Sequence, residues 1–236
     1  MLMLLGCGNS TIDLSDPDRG LVARWALDEN QPGATVVDSS GHGHAGTPSA
    51  SAPTPSADVP SDPAQDRRSL TFNGLDQLVE FGNPPGLQLT GEITIAAWIN
   101  PAALDGKRSI VTHGYRWSPS QEVSLRMLDG FYQIASWDGV NHWAELAIPA
   151  TDVGTWVHLC GVYDGNAFII YRNGELGAAS TDTIGAIAVD APWAIGARAS
   201  SVPPDAARFY LGLLDEVRIY DRALSAAEVR VLAHAR

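Results

Sequence analysis

Tight-turn signals set between short apolar runs leave this chain few folds to choose from. Asp129-Gly130 separates Glu122–Leu128 from Phe131–Trp137, Asp164-Gly165-Asn166 separates Trp156–Tyr163 from Ala167–Tyr171, and Asn173-Gly174 follows at once. Such dipeptides tolerate the positive φ of hairpin turns, whose twist matches that of the strands they join. Further runs of strand-forming residues occur at Leu21–Leu27, Ser69–Phe72, Gln77–Phe81, Ile93–Ile99, Arg108–His113 and Pro192–Gly196. Short strands at regular spacing with turn residues between them specify an all-β sandwich of antiparallel sheets. With 236 residues, 45% of them hydrophobic, the chain has ample material for one such core.

The run that closes the chain is the most informative. In Leu211–Tyr220, the residues Leu211, Leu213, Val217, Ile219 and Tyr220 suit a pleated, buried surface. Ser225, with Glu228 three residues on, is a capping box, and Val229 and Leu232 give the short helix that follows an apolar side. Asp215 and Glu216 interrupt the strand, and a charge in a core-facing strand needs a partner or a metal. The stretch Leu214-Asp-Glu-Val-Arg-Ile-Tyr-Asp-Arg-Ala-Leu-Ser225 resembles the closing strand of laminin G-like (LamG-like) jellyroll domains, of the concanavalin A-like lectin and glucanase superfamily. Three more stretches carry the same resemblance: Trp25-Ala-Leu-Asp-Glu29 with Asp38-Ser-Ser-Gly-His-Gly-His-Ala-Gly46, then Leu70-Thr-Phe-Asn-Gly74, then Ile93-Thr-Ile-Ala-Ala-Trp-Ile99. The loop departs from the family pattern at His42 and His44, where Asn is usual. The resemblance covers roughly residues 20–235. It implies a two-sheet antiparallel jellyroll sandwich over 20–236, with a short C-terminal helix.

It also suggests a cation site. In a jellyroll the first and last strands are neighbours, so Asp28, Asp38 and Asp215 would meet. Their carboxylates, with backbone carbonyls of the glycine-rich loop such as that of His44, would form a hard-oxygen shell suited to calcium. Zinc is disfavoured, because His42 and His44 share one loop with no thiolate or third histidine nearby. The competing reading has Asp38 capping its own turn and Asp215 paired with an arginine such as Arg24.

A net charge of −12 argues against nucleic acid and acidic membranes as partners, since both require a basic face. Cys7 and Cys160 are the only cysteines and make no disulfide framework. Cys160 reads as a small buried hydrophobe in an apolar strand. Leu4-Leu5-Gly6-Cys7 resembles the lipobox of bacterial lipoproteins and implies lipidation of Cys7, with residues 1–19 a signal remnant and tether. The apolar run is shorter than a full signal core and lacks a basic start, so the alternatives are a start further upstream or another kind of leader. The expected location is accordingly exported: a cell-surface, outer-membrane or periplasmic lipoprotein, or a secreted protein. The chain has no run of about 20 apolar residues that could span a bilayer. Residues 47–66, rich in Pro, Ser and Ala, read as a flexible surface excursion.

No catalytic pattern is evident. The superfamily's glucanases carry a Glu-x-Asp-x-x-Glu strand, which is missing here, and adjacent Asp215 and Glu216 point to opposite faces of a strand, so they cannot flank a glycosidic bond. Nor is there a Gln-x-His strand of the kind found in jellyroll alginate lyases. Binding remains. Tyr115 and Trp117 read as one loop and Trp137 and Trp143 as another, with Arg126 and Tyr132 facing the same side. Aromatic rings beside polar side chains suit sugar, the ring stacking on C–H groups and the polar groups holding hydroxyls. Tryptophans that merely cap the core edge are the competing reading, certainly so for Trp25, Trp98 and Trp156. The expectation is a non-catalytic extracellular binding domain for a glycan or a cell-surface partner, with structural calcium. The alternatives are a lyase or hydrolase and a protein-adhesion module, and no oligomeric state is implied.

Overall fold

The structure, a computed structural model, describes residues 16, 18–60, 67–117, 120–199 and 207–234, with the side chains of 116, 117 and 120 outside the description. The described residues form strands β1 (Leu21–Trp25), β2 (Thr47–Pro48), β3 (Thr54–Ser56), β4 (Ser69–Asn73), β5 (Val79–Glu80), β6 (Ile93–Pro101), β7 (Lys107–Trp117) and β8 (Ser120–Leu128), followed by β9 (Phe131–Trp137), β10 (Asn141–Ala147), β11 (Val157–Tyr163), β12 (Ala167–Arg172), β13 (Glu175–Thr181), β14 (Trp193–Ile195) and β15 (Leu211–Tyr220), and one helix, α1 (Ala226–His234). One sheet has eight strands, in the order β13-β12-β11-β6-β15-β4-β3 with β1 also on β15; the other has seven, in the order β10-β9-β8-β7-β14-β5-β2. The strand pairs are antiparallel, giving the two-sheet jellyroll sandwich that the sequence implies.

Turn chemistry sets the registers. Asp129 and Gly130 take φ of 49° and 89°, and Asn173 and Gly174 take 52° and 80°. Positive φ at both central residues is the two-residue hairpin turn that matches strand twist. It places Leu128 opposite Phe131 and Arg172 opposite Glu175. Inward side chains of both sheets then form one core. Ile95, Ile99, Leu159, Ile170, Leu214 and Val217 of the larger sheet meet Val111, Leu125, Ile134 and Trp193 of the smaller. Trp25 lies against Phe81, ring centroids 3.9 Å apart, and its indole donates to the His44 carbonyl at 2.7 Å. Gly161 lets the sheets close, because a Cβ there would lie 2.5 Å from the Cβ of Ile134.

A second apolar layer covers the outer side of the larger sheet. Val229 and Leu232 of α1 pack on Ala96, Cys160, Tyr171 and Tyr220. The capping box starts this helix: the Glu228 carboxylate accepts from the Ser225 backbone at 2.8 Å, and the Ser225 hydroxyl accepts from the Glu228 backbone at 3.3 Å. Burial raises the Cys160 thiol far above its ordinary pKa, so it packs as a hydrophobe.

The Pro/Ser/Ala segment differs from expectation as far as residue 60; residues 61–66 lie outside the described residues. Rather than looping free of the sheets, it gives an edge strand to each: Thr47–Pro48 pairs with Val79–Glu80, and Thr54–Ser56 with Ser69–Thr71. Proline is tolerated at a sheet edge, where its missing N–H costs no ladder bond. Side chains of the sandwich hold the segment. The Gln77 amide donates to the carbonyls of Ser51 and Ala52 at 2.8 and 2.9 Å, and the Trp156 indole donates to Asp58 at 2.8 Å.

Candidate functional site

The outward side of the seven-stranded sheet collects the polar and aromatic side chains that the core does not use. Strand alternation sends Val123, Leu125 and Met127 of β8 inward, and therefore Glu122, Ser124 and Arg126 outward. Register lines these up with their neighbours. One row runs Ser109, Arg126, Gln133, Glu145; the next runs Thr112, Ser124, Ala135, Trp143; a third joins Glu122, Trp137 and Asn141.

A hydrogen-bonded chain crosses these strands. The Trp143 indole donates to Glu145 at 3.1 Å, and the Gln133 amide donates to the same oxygen at 2.8 Å. The Gln133 carbonyl accepts from Arg126 Nε at 2.9 Å, and Arg126 reaches Glu122 at 3.5 Å. Glu122 is 1% exposed and also pairs with Arg198 and, at 3.7 Å, with Arg208. Burial alone would raise the Glu122 carboxyl, but the guanidiniums of Arg198, Arg126 and Arg208 outweigh it and hold the group below the usual carboxylate range. Burial, with the neighbouring guanidiniums, pushes Arg208 down to about 10. The Arg198 guanidinium lies 4.2 Å over the Tyr115 ring.

At the other end of the chain, a groove of about 410 Å³ opens between Asn141, Trp143 and Glu145 of β10 and Ala178–Ser180 of β13, with Asp182 at its margin. His142 fixes that margin: Nδ1 meets Asp182 at 2.9 Å and Nε2 meets Asp138 at 3.2 Å. Burial lowers the His142 pKa, and the two carboxylates more than reverse this, leaving it above the ordinary histidine value.

The ligand residues read from the sequence are therefore partly gathered. Arg126, Trp137 and Trp143 share the outward side, and Tyr115 joins them through Arg198. They stand on strands, not in loops: Tyr115 and the backbone of Trp117 belong to β7, and Trp137 and Trp143 flank the Asp138–Val140 turn. The Trp117 side chain lies outside the described residues. Tyr132 does not belong with them. The two-residue turn pairs Met127 with Tyr132, so its ring points into the core, where its hydroxyl donates to Asp152 at 3.0 Å. Gln133 and Glu145, which the sequence reading missed, follow from the same register; Glu122 with Arg198 and Arg208 depends on tertiary contact.

The expected calcium ligands are not assembled as a set. Asp38 spends one carboxylate oxygen on the backbone N–H groups of Arg24 and Ser40, at 3.1 and 2.9 Å, and the other on that of His44, at 2.9 Å. The His44 carbonyl is taken by Trp25. Asp28 accepts from the N–H groups of Arg67 and Arg68 at 3.0 and 2.9 Å. Asp215 is fully buried beside its own strand, one oxygen accepting from the Glu216 N–H at 2.8 Å, and Glu216 is the residue that binds Arg24, at 2.7 Å. Among the described residues no three His, Cys, Asp or Glu side chains converge as metal ligands. Cys7, read as a lipidation site, lies outside the described residues.

Comparison with known proteins agrees with this architecture. The laminin G 3 family model, described as concanavalin A-like lectin/glucanases superfamily, matches residues 73–230. The chain belongs to this family. Among solved structures, this laminin G-like chain is similar to domain 4 of AbnA, a GH43 extracellular arabinanase from Geobacillus stearothermophilus, in complex with arabinotriose: 22% identity, 91% of this chain and 98% of that one, TM-score 0.69. It is also similar to the binding domain of Paraclostridial Mosquitocidal Protein 1, at 15% identity over 93% of this chain with a TM-score of 0.68. The receptor binding domain of botulinum neurotoxin C/D mosaic serotype matches at 8% identity over 93%, with a TM-score of 0.67. This laminin G-like chain spans 53% and 52% of those two toxin chains. No curated protein matches the sequence.

Proposed function

We propose that this laminin G-like domain is a non-catalytic glycan-binding module whose ligand lies along β8–β10 and enters the Trp143 groove. One observation carries the reading: the half-buried Trp143 indole stands in an open groove with its N–H fixed to Glu145, beside Asn141, Ser180 and Gln133. A ring so held offers a face for sugar C–H groups, and the amides and carboxylates around it suit hydroxyls. The arabinotriose complex of a domain with this fold supports it. A glycosidase acid must hold its proton, whereas the arginines keep Glu122 ionised, so Glu122 does not fit the part of that acid.

The test is affinity electrophoresis and calorimetry on a panel of soluble polysaccharides, with assays for reducing ends and unsaturated products on the same samples. Trp143→Ala should cost on the order of 1–3 kcal/mol of affinity. A panel without a single bound glycan, or binding indifferent to Trp143→Ala, defeats the proposal; product formation moves the domain to the enzymes. Anchoring through Cys7 is a separate proposal, checked by mass spectrometry of protein made in a lipoprotein-processing host.

A further inference from the structure

The end of the polar chain away from Trp143 has a different chemistry. Three guanidiniums, those of Arg126, Arg198 and Arg208, converge on the single carboxylate of Glu122. Arg126 is 3% exposed and Arg198 5%. The cluster reaches solvent at Arg208, whose side chain is 19% exposed, and at the half-buried Tyr115. Nη1 of Arg208 is buried and faces Glu122 at 3.7 Å, an ion-pair distance too long for a hydrogen bond. Fully buried hydroxyls on the same side of the sheet are also unsatisfied: Ser109 directly opposite Arg126, and Thr112 opposite Ser124. Buried donors of this kind are rare without a partner, whether water, ion or ligand. Guanidinium is the group best matched to carboxylate and sulfate, which it binds through two parallel N–H bonds.

We propose that this cluster takes the anionic group of a sugar acid, so that the domain's ligand is a glycan bearing carboxylate or sulfate. The inference rests on the glycan reading above and deepens it. Arg126 on β8 and Trp143 on β10 lie two strand spacings across and two residues along the sheet, about 12 Å apart. A short oligosaccharide spans that distance, with one residue's ring on Trp143 and another's anion at Arg208. Arg126 and Gln133 link the two ends and fix the register between them. Charge at the far end would set which glycan is chosen, and stacking at the near end would add affinity to any glycan that fits.

The experiment uses the whole chain and two pairs of probes: an oligogalacturonide with its methyl-esterified form, and a sulfated galactan oligosaccharide with its desulfated form. Calorimetry at low and high chloride should show one charged form binding at least ten-fold more tightly than its neutral counterpart, with the preference shrinking as salt rises. Which pair shows the preference tells carboxylate from sulfate. Arg208→Gln, checked for folding by circular dichroism, should abolish the preference, whereas Trp143→Ala should weaken charged and neutral forms by the same factor. Equal binding of charged and neutral forms overturns the anion site and leaves the glycan reading standing. Binding of none of the four defeats the glycan reading, and inorganic sulfate then decides the anion site. Sulfate stabilises most proteins by exclusion from their surface, so the comparison is with the variant at equal ionic strength. A melting-temperature rise over chloride that is larger in the native chain than in Arg208→Gln upholds the site, and equal rises overturn it.

Discussion

Asp38 holds three backbone donors on one carboxylate, and its neighbourhood gives two predictions. Burial would raise its pKa; hydrogen bonds from Ser40, His44 and Arg24 outweigh that and leave it below the ordinary aspartate value. A depressed carboxylate stabilises the fold above its unfolded pKa of about 3.9 and loses that contribution as pH falls through the folded value. Asp38→Ala should therefore cost about 2 kcal/mol near neutrality, measured by denaturant unfolding, by loss of charge-assisted hydrogen bonds. If N–H groups are its partners, the loss is the same with calcium and with chelator; a native chain whose melting temperature rises with calcium would restore the cation reading. His142 has the opposite sign. Its folded pKa is raised by Asp182 and Asp138, so its contribution is complete below about 6.5 and is lost as pH rises through the folded value. The stability difference between native chain and His142→Asn should be larger at pH 5.5 than at pH 8.5. The register of the candidate site was available at this scale, since the Asp129-Gly130 turn alone places Gln133 opposite Arg126 and turns Tyr132 inward, yet the sequence reading left Gln133 out and set Tyr132 on the ligand side. Arg198 and Arg208 were not legible, because only tertiary folding brings them from a distant segment to Glu122. The carboxylates chosen for calcium do sit near the first and last strands. Strand proximity does not decide where side-chain oxygens point, and main-chain donors claimed them first.

Among the elements, β15 shows both what patterning reveals and what it hides. The strand, the capping box and the short helix were all readable, because each rests on local residue chemistry. The bulge inside the strand was not. Glu216 takes φ 44°, and the register against β6 shifts between Asp215 and Arg218. There β15 changes partners, pairing with β4 through Leu211–Leu214 and with β1 through Val217–Tyr220. The bulge sets the Glu216 carboxylate between Arg24 and Arg218, at 2.7 and 2.9 Å. No local pattern announces such a change of partner. The edge strands of the Pro/Ser/Ala segment were hidden for the same reason, since their pairing depends on Gln77 and Trp156 far along the chain. Sheet spacing provides the prediction at this scale. Gly161→Ala drives a Cβ into Ile134 at 2.5 Å, between elements that both belong to the core. Overpacking of this kind should cost about 1–3 kcal/mol, read as a lower denaturation midpoint with an unchanged slope, and a midpoint equal to the native one would show that the sheets can part.

At the scale of the whole molecule, the main core is drawn from both sheets with a second cluster under α1, and the acidic balance leaves the Arg126–Arg198–Arg208 cluster as a local exception in a chain of net charge −12. That contrast is what would make attraction to an anionic glycan short-ranged and sensitive to salt. The sandwich itself was legible, since turn dipeptides and alternation are whole-chain patterns. The order of its strands was not, because three strands far apart in sequence, β1, β4 and β6, share one partner. That partner, β15, is the last strand of the sheet to be made. A ribosome adding about 5–20 residues per second needs roughly 10–40 s to travel from the end of β1 to the end of β15. Through that interval β1 has no ladder to join and β6 presents an open flank. The larger sheet is therefore made in two parts, β13-β12-β11-β6 and β4-β3, that can pair as they emerge, and it closes only when β15 joins them to each other and to β1.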